Sequence, residues 1–351
     1  MSNSIYIGKH RIGSDSKPFI IAEMSGNHNQ SLSRALEIVD AAADAGADAI
    51  KLQTYTADTI TLDVKGSNFE VQDSKSLWAG KNLHQLYEMA HTPWEWHAPI
   101  MERATKKGLL CFSSPFDETA VDFLESLNVP AYKIASFENS HLPLIQKVAA
   151  TGKPVIISTG MASLAELDEA VKTARAAGCK DLILLKCTST YPASPENTNI
   201  ITIPHLKLLF DCEVGLSDHT MGIGVSVAAT ALGASVIEKH FTLSRSQGGV
   251  DSAFSMEPHE LSALVSETES AWLALGKIMY GATDAEKKSL MFRRSIFIAE
   301  DVGVGEVLTP ENLRIVRPGN GLHPRYYEQM LGKTVRAAYK KGTPLSFDMV
   351  N

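Results

Sequence analysis

The chain of 351 residues holds only four cysteines, Cys111, Cys179, Cys187 and Cys212, and none forms a CxxC pair. That excludes a disulfide scaffold and a closed four-cysteine zinc site, and leaves reduced core thiols as the expectation. HExxH is missing as well, so a zinc-peptidase helix is excluded. No apolar run approaches the roughly 20 residues that cross a bilayer, and the N-terminal MSNSIYIGKHRIG lacks a signal-peptide core. A cytoplasmic protein with no membrane partner is expected. Cationic excess is absent too: 33 Lys and Arg face 40 Asp and Glu, a net charge of −7. This speaks against gripping nucleic acid by its backbone, although cations focused in a cleft can still hold a small anion.

What the chain has is a series of eight short apolar runs, each stopping at a polar or charged residue. In order they are FIIAE (19–23), AIKLQ (49–53), LLCFSS (109–114), AYKIAS (131–136), PVIIST (154–159), LILLKC (182–187), EVGLSDH (213–219) and SVIEKH (235–240). Continuous apolar strands separated by helical patterns predict a parallel sheet covered on both faces. Such patterns follow the first, third, fourth, fifth and seventh runs, LSRALEIVDAAADAGAD and SLAELDEAVKTARAAGCK being the longest. Closed on itself, the sheet is a (β/α)8 TIM barrel whose strand C-termini open onto one mouth. Glu23, Lys51, Gln53, Ser114, Lys133, Ser136, Ser158, Lys186, Ser217, Asp218, His219, Glu238, Lys239 and His240 then converge there.

The remaining segments organise around that barrel. SIYIGKHRIG reads as a hairpin plugging the closed end, and the stretch from Thr56 to His91 as a long irregular loop, a form that is usually functional. HTPWEWH is expected to begin a helix packed on the barrel. Gly222 and Gly224 resemble a dinucleotide loop, but Val227 replaces its last glycine, which argues against that reading. The expected division is a catalytic barrel at 1–280, a charged linker at 281–290 and a small β-rich domain at 291–351. So small a domain is marginal alone and is expected to lean on the barrel or on a second subunit.

The mouth limits the chemistry. His219 and His240 end neighbouring strands and can meet around a divalent metal, with water and substrate completing its shell. Lysines interleaved with Ser136, Ser158, Ser189 and Ser217 suit a phosphate and a carboxylate. Ion pairing with Glu238, Glu138 or Asp218 competes as an explanation for Lys186 and Lys239. Glu23 on the rim is a candidate general base, or else the partner of a lysine. A Schiff-base aldolase built on one desolvated lysine and a non-catalytic sugar- or ice-binding protein remain as rivals.

EMSGNHNQS, KLQTYTADT, FSSPFDETAVDFLESLNVPAYKIASFE, STGM, LLKCTSTYPASPE, GLSDHT and VIEKHFTLSR together resemble the sialic acid synthase family, from about residue 5 onward. The C-terminal part, with RPGNGLHP, resembles that family's antifreeze-like (SAF) domain. Such enzymes condense phosphoenolpyruvate with an amino sugar. The wording EMSGNHNQ and FDETAVDFLESL is similar to the pseudaminic acid branch, which implies 2,4-diacetamido-2,4,6-trideoxy-L-altrose as acceptor. An N-acetylneuraminate or legionaminate synthase is the alternative within the same chemistry.

By resemblance, His219 and His240 hold a divalent ion, typically manganese, with magnesium or cobalt as substitutes. Lys51, Lys133, Ser136, Ser158, Ser189 and Ser217 resemble the phosphoenolpyruvate set, with Ser114 beside them. The family commonly carries Asn where this chain has Ser189. Gln53, Glu138, Tyr191 and Asp251 resemble sugar-side contacts. Arg317 of RPGNG resembles the arginine that the SAF domain inserts into a partner's active site, which implies a domain-swapped homodimer.

Overall fold

A computed structural model describes residues 5–64, 66–72 and 78–351. The chain divides into two compact units, Met1–Gly276 and Lys277–Asn351.

In the first unit, β1 (Ile5–Ile7) and β2 (His10–Ile12) form an antiparallel hairpin. Ile5, Ile7 and Ile12 are buried in the main core. Gly8, at φ 56°, closes the turn against Leu110, where any Cβ would meet the leucine side chain at 2.9 Å. Leu110 starts a barrel strand, so the hairpin covers the N-terminal end of the barrel, as expected.

Eight parallel strands then close into a barrel in sequential order. They are β3 (Phe19–Glu23), β4 (Ala49–Thr54), β5 (Leu110–Pro115), β6 (Tyr132–Ile134), β7 (Val155–Ser158), β8 (Leu182–Cys187), β9 (Glu213–Ser217) and β10 (Val236–His240), with β10 pairing β3. All eight coincide with the apolar runs. Buried on the inside and under helices on the outside, they need not alternate.

Helices α1 (Leu32–Asp44), α2 (Ala57–Ile60), α3 (Leu83–Ala90), α4 (His97–Lys106), α5 (Glu118–Ser126), α6 (Leu142–Ala150), α7 (Leu164–Ala176), α8 (Thr202–Phe210) and α9 (Gly224–Ala231) connect the strands, and α10 (Pro258–Leu275) follows the last of them. Their starts follow capping chemistry: Ser163 and Glu166 make a capping box at α7, and Asp117 accepts from the first turn of α5. The stretch from Thr56 to His91 departs from an irregular loop, because it contains α2 and α3. Asn82 caps α3, but the helix has eight residues and buries only Leu86 and Ala90, too few to register as a periodic pattern. Trp94–Trp96 make a 3-10 turn that leads into α4, as expected of HTPWEWH.

In the second unit, β11 (Ser295–Ile298) pairs antiparallel with β12 (Leu313–Val316), followed by α11 (Tyr327–Met330). Isolated bridges extend this β character around a small core of Ile296, Ile298, Leu313, Val335 and Leu345. Among the described residues no helix is long and apolar enough to cross a membrane.

Candidate active site

The register of the barrel places the polar strand ends side by side. Glu23 on β3 is the direct neighbour of Lys51 on β4 and of His240 on β10. A cavity of about 470 Å³ opens over these strand ends. Of the fifteen residues given a catalytic, substrate-binding or metal role, twelve line it: Glu23, Lys51, Gln53, Lys133, Ser136, Glu138, Ser158, Tyr191, Ser217, His219, His240 and Asp251.

The other three of the fifteen do not line it. Ser114 lies buried beneath, accepting a hydrogen bond from Lys51 at 3.2 Å. Ser189 stands behind Gly160, where a Cβ would come within 2.2 Å of its Oγ and 2.6 Å of Ser136 Oγ. Arg317 belongs to the second unit, where it is exposed beside the cis Arg317–Pro318 bond.

The floor is a buried set of alternating charges. Lys51 Nζ lies 2.6 Å from Glu23 Oε2 and 3.9 Å from Glu238 Oε1. Lys133 Nζ donates to Ser158 Oγ at 2.7 Å and stands 3.6 Å from the same Glu238 oxygen. Burial alone would discharge Lys51, but Glu23 and Glu238 carry it above the ordinary lysine value. Lys133, with Glu238 as its nearest anion, is lowered by burial. Glu238 resists burial through Lys133 and Lys51 and is held below the usual carboxylate range. Glu23 is pushed up to about 7, chiefly by burial and by Glu238, against the pull of Lys51. A carboxyl so poised changes charge near neutrality, which suits a general base.

Hydrogen bonds fix Glu23 in place. Gln53 Nε2 donates to Glu23 Oε1 at 2.9 Å and to Ser25 Oγ at 3.2 Å, and Ser25 in turn donates to Asp251. Asn139 Nδ2 donates to the carbonyls of Ser158 and Gly160, holding the turn that carries the serines.

Two lysines turn away. Lys239 donates to Asp218 at 3.0 Å and to the carbonyls of Thr220 and Gly222, so it is a structural tie between β10 and the loop after β9. Lys186 donates to its neighbour's carbonyl, Cys187 O, at 2.8 Å and is half-buried outside the cavity.

The histidine rings lie with centroids 5.4 Å apart, cased by Tyr191 and Phe254. His219 Nδ1 sits 2.9 Å from the Thr188 carbonyl, which can only accept, so Nδ1 carries a proton and Nε2 is the nitrogen left to meet a metal. Burial, followed by the neighbouring His219 and lysines, drives His240 well below the usual histidine value, hence neutral. Its Nδ1 is buried with no hydrogen-bond partner among the described residues. Burial opposes the charge on His219, but Cys187 and the Thr188 carbonyl carry it above the usual histidine value. His219 would therefore give up a proton on binding a metal, whereas His240 is already neutral. A pair of imidazoles, one oriented by a carbonyl, fits a divalent ion. Among the described residues no group of three or more His, Cys, Asp or Glu could hold one, so the other positions fall to water and substrate.

Sequence reasoning placed Glu238 at the mouth as an ion-pair partner, and missed Ser25, Cys187 and the aromatic trio Tyr55, Tyr87 and Trp78 as lining residues. Cys187 was expected to be a core thiol. It is buried, but it faces the cavity with Sγ 3.9 Å from His219 Nδ1. A signal existed on β10, where side chains two apart share a face, so His240 predicts Glu238. Ser25 lies past the end of β3 in a 3-10 turn, which strand alternation does not reach.

A family model described as the NeuB family matches residues 38–280, and a SAF domain model matches 293–351. A Helicobacter pylori protein named pseudaminic acid synthase is 45% identical over 94% of this chain and 97% of its own. A Campylobacter jejuni N,N'-diacetyllegionaminic acid synthase is 36% identical, over 93% and 98%. Among solved structures, a Leptospira borgpetersenii N-acetylneuraminic acid synthetase in complex with citrate superposes with a TM-score of 0.72 at 34% identity, over 83% and 96%.

Proposed function

The chain belongs to the NeuB family, and from that premise we propose that it is a pseudaminic acid synthase. It condenses phosphoenolpyruvate with 2,4-diacetamido-2,4,6-trideoxy-L-altrose to give pseudaminic acid and phosphate. The observation that carries the choice of acceptor is the 45% identity to a pseudaminic acid synthase over nearly the whole chain, against 36% to a legionaminic acid synthase. The mixed floor of two lysines and two glutamates supports the chemistry.

The reaction follows from the geometry. Lys51 and Lys133, with Ser136, Ser158 and Ser217, hold the phosphate and carboxylate of phosphoenolpyruvate, and Ser189 and Ser114 support that set. His219 and His240 are the residues that would hold a divalent metal, manganese by preference, with magnesium or cobalt as substitutes. Such an ion supplies Lewis-acid polarisation of the sugar's aldehyde oxygen. The methylene carbon of phosphoenolpyruvate forms a bond to the aldehyde carbon, and positive charge develops at its C2. Glu23 takes a proton from the water that adds there. The tetrahedral carbon then loses phosphate by C–O cleavage, and the lysines stabilise the charge on the leaving group. Gln53, Glu138, Tyr191 and Asp251 orient the sugar.

A Schiff base on Lys51 is disfavoured because Glu23 and Glu238 flank it and favour the ammonium over the free amine. Lys133, though lowered by burial, is engaged by Ser158 and Glu238. We assign 1–280 to the catalytic unit, 281–290 to a linker and 291–351 to the SAF domain. In this reading Arg317 enters the site of a second copy in a domain-swapped homodimer.

Phosphoenolpyruvate labelled with ¹⁸O in its bridging oxygen tests the reaction. Label in the released phosphate, with a nine-carbon product by mass spectrometry, is the expected result. Label retained in the product would mean P–O cleavage and a different enzyme class.

A further inference from the structure

The cavity has two unlike ends. Its floor is polar and charged, whereas its rim is apolar, formed by Ile60 of α2, Val71, Leu86 and Tyr87 of α3, Phe116 and Phe137. The rim is built rather than incidental. Tyr55, 2% exposed, packs edge-on against Phe116 at 5.1 Å and Tyr87 at 5.7 Å, so one buried ring sets the position of two others. Phe137 stays 61% exposed although its neighbours Ser136 and Glu138 are drawn in, leaving an aromatic face at the mouth with room for an apolar group.

The acceptor reacts at C1, which must meet the floor where phosphoenolpyruvate and the histidines lie. C6, at the other end of the open chain, is then the atom nearest the mouth. An ordinary hexose carries a hydroxymethyl there, and its hydroxyl would lose water against Ile60, Leu86, Phe116 and Phe137, side chains that offer it no hydrogen bond. A 6-deoxy sugar carries a methyl, and each acetamido group adds another. Glu138 offers the matching polar point: one carboxylate oxygen is buried without a hydrogen-bond partner among the described residues, free to accept from an acetamido N–H.

We propose that the wall of Ile60, Leu86, Tyr87, Phe116 and Phe137 selects the acceptor, by receiving the C6 methyl of a 6-deoxy diacetamido sugar and excluding its 6-hydroxy counterpart. The inference rests on the synthase reading above and names the part of the site that decides among acceptors. Neither Ile60 nor Phe137 touches the charged floor through any hydrogen bond or ion pair, so the wall can be altered without dismantling the chemistry.

The test compares kcat/KM for 2,4-diacetamido-2,4,6-trideoxy-L-altrose and 2,4-diacetamido-2,4-dideoxy-L-altrose, in the full-length enzyme and in Ile60→Thr, Phe137→Gln and the double variant. The unmodified enzyme is expected to prefer the 6-deoxy sugar by about 10- to 100-fold, the range a hydrophobic pocket achieves against an added hydroxyl. The double variant is expected to bring that preference below about threefold, while KM for phosphoenolpyruvate holds steady. Equal use of the two sugars by the unmodified enzyme would overturn the proposal without any variant. An unchanged preference in the folded double variant would also overturn it. Both results leave the synthase reading intact, whereas no turnover of the 6-deoxy sugar at all removes that reading and the wall assignment together.

Discussion

Glu23 and Lys51 face each other as register partners across β3 and β4, with Oε2 and Nζ 2.6 Å apart and both residues buried. In the proposed mechanism the pair couples two functions that chemistry keeps separate. Lys51 stays cationic for an anionic substrate because Glu23 is beside it, and Glu23 remains ionisable near neutrality because burial opposes the pull of Lys51. A substrate anion that takes up the lysine's charge would loosen Glu23 and make it a better base.

Glu23→Gln should therefore lower kcat by about 10²- to 10⁴-fold, the usual worth of a positioned general base. KM for phosphoenolpyruvate should not rise, since the variant leaves Lys51 without its competing carboxylate. Steady-state kinetics check both, and a Gln variant with full turnover would remove Glu23 from the scheme.

The pH profile carries the same group. Glu23 must be deprotonated to act, and its carboxyl is raised to about 7, so kcat/KM should fall about tenfold per unit as pH drops below that value. In Glu23→Gln the part of this acid limb due to Glu23 should be lost, leaving a low and flatter profile on which Glu138, also raised to about 7 by burial, still titrates.

Lys133 reaches only Ser158 and Glu238 among the described residues. Lys133→Met should raise KM for phosphoenolpyruvate by about 10- to 100-fold, as loss of a charge-assisted hydrogen bond does, with little change in KM for the sugar. Equal effects on both substrates would contradict a phosphate-side role.

Chelation should abolish turnover and manganese should restore it. His219→Ala and His240→Ala should each weaken manganese binding, read by calorimetry or by the spin resonance of the free ion. The loss should exceed the roughly 10- to 100-fold that removing an outer partner costs. Undiminished binding in both variants would place the metal elsewhere.

Gly215, in β9, has no room for a side chain: a Cβ there would lie 2.2 Å from the Val236 carbonyl oxygen and 2.6 Å from Leu185. Gly215→Ala should destabilise the barrel by at least about 1–3 kcal/mol, the range of core overpacking, measured by denaturant unfolding.

Much of this site was legible in the sequence because strand ends in a closed barrel share a mouth, so eight apolar runs name their own site residues. Parity carries further than it was taken. Glu238 and His240 point inward on β10 while Lys239 between them points out to Asp218, as period-two alternation requires. Cys187 likewise faces the cavity and Lys186 does not. The apolar rim was beyond reach for a different reason. Tyr55, Tyr87 and Phe116 meet through tertiary packing of segments up to 61 positions apart, which no local pattern encodes. The short α3 between them left too little periodicity to mark its buried face.

The most direct measurement is phosphate release from phosphoenolpyruvate with manganese, offered 2,4-diacetamido-2,4,6-trideoxy-L-altrose and N-acetylmannosamine in parallel. Release with the altrose alone is the predicted result. Release with N-acetylmannosamine alone would keep the mechanism and contradict the assignment of this chain as a pseudaminic acid synthase.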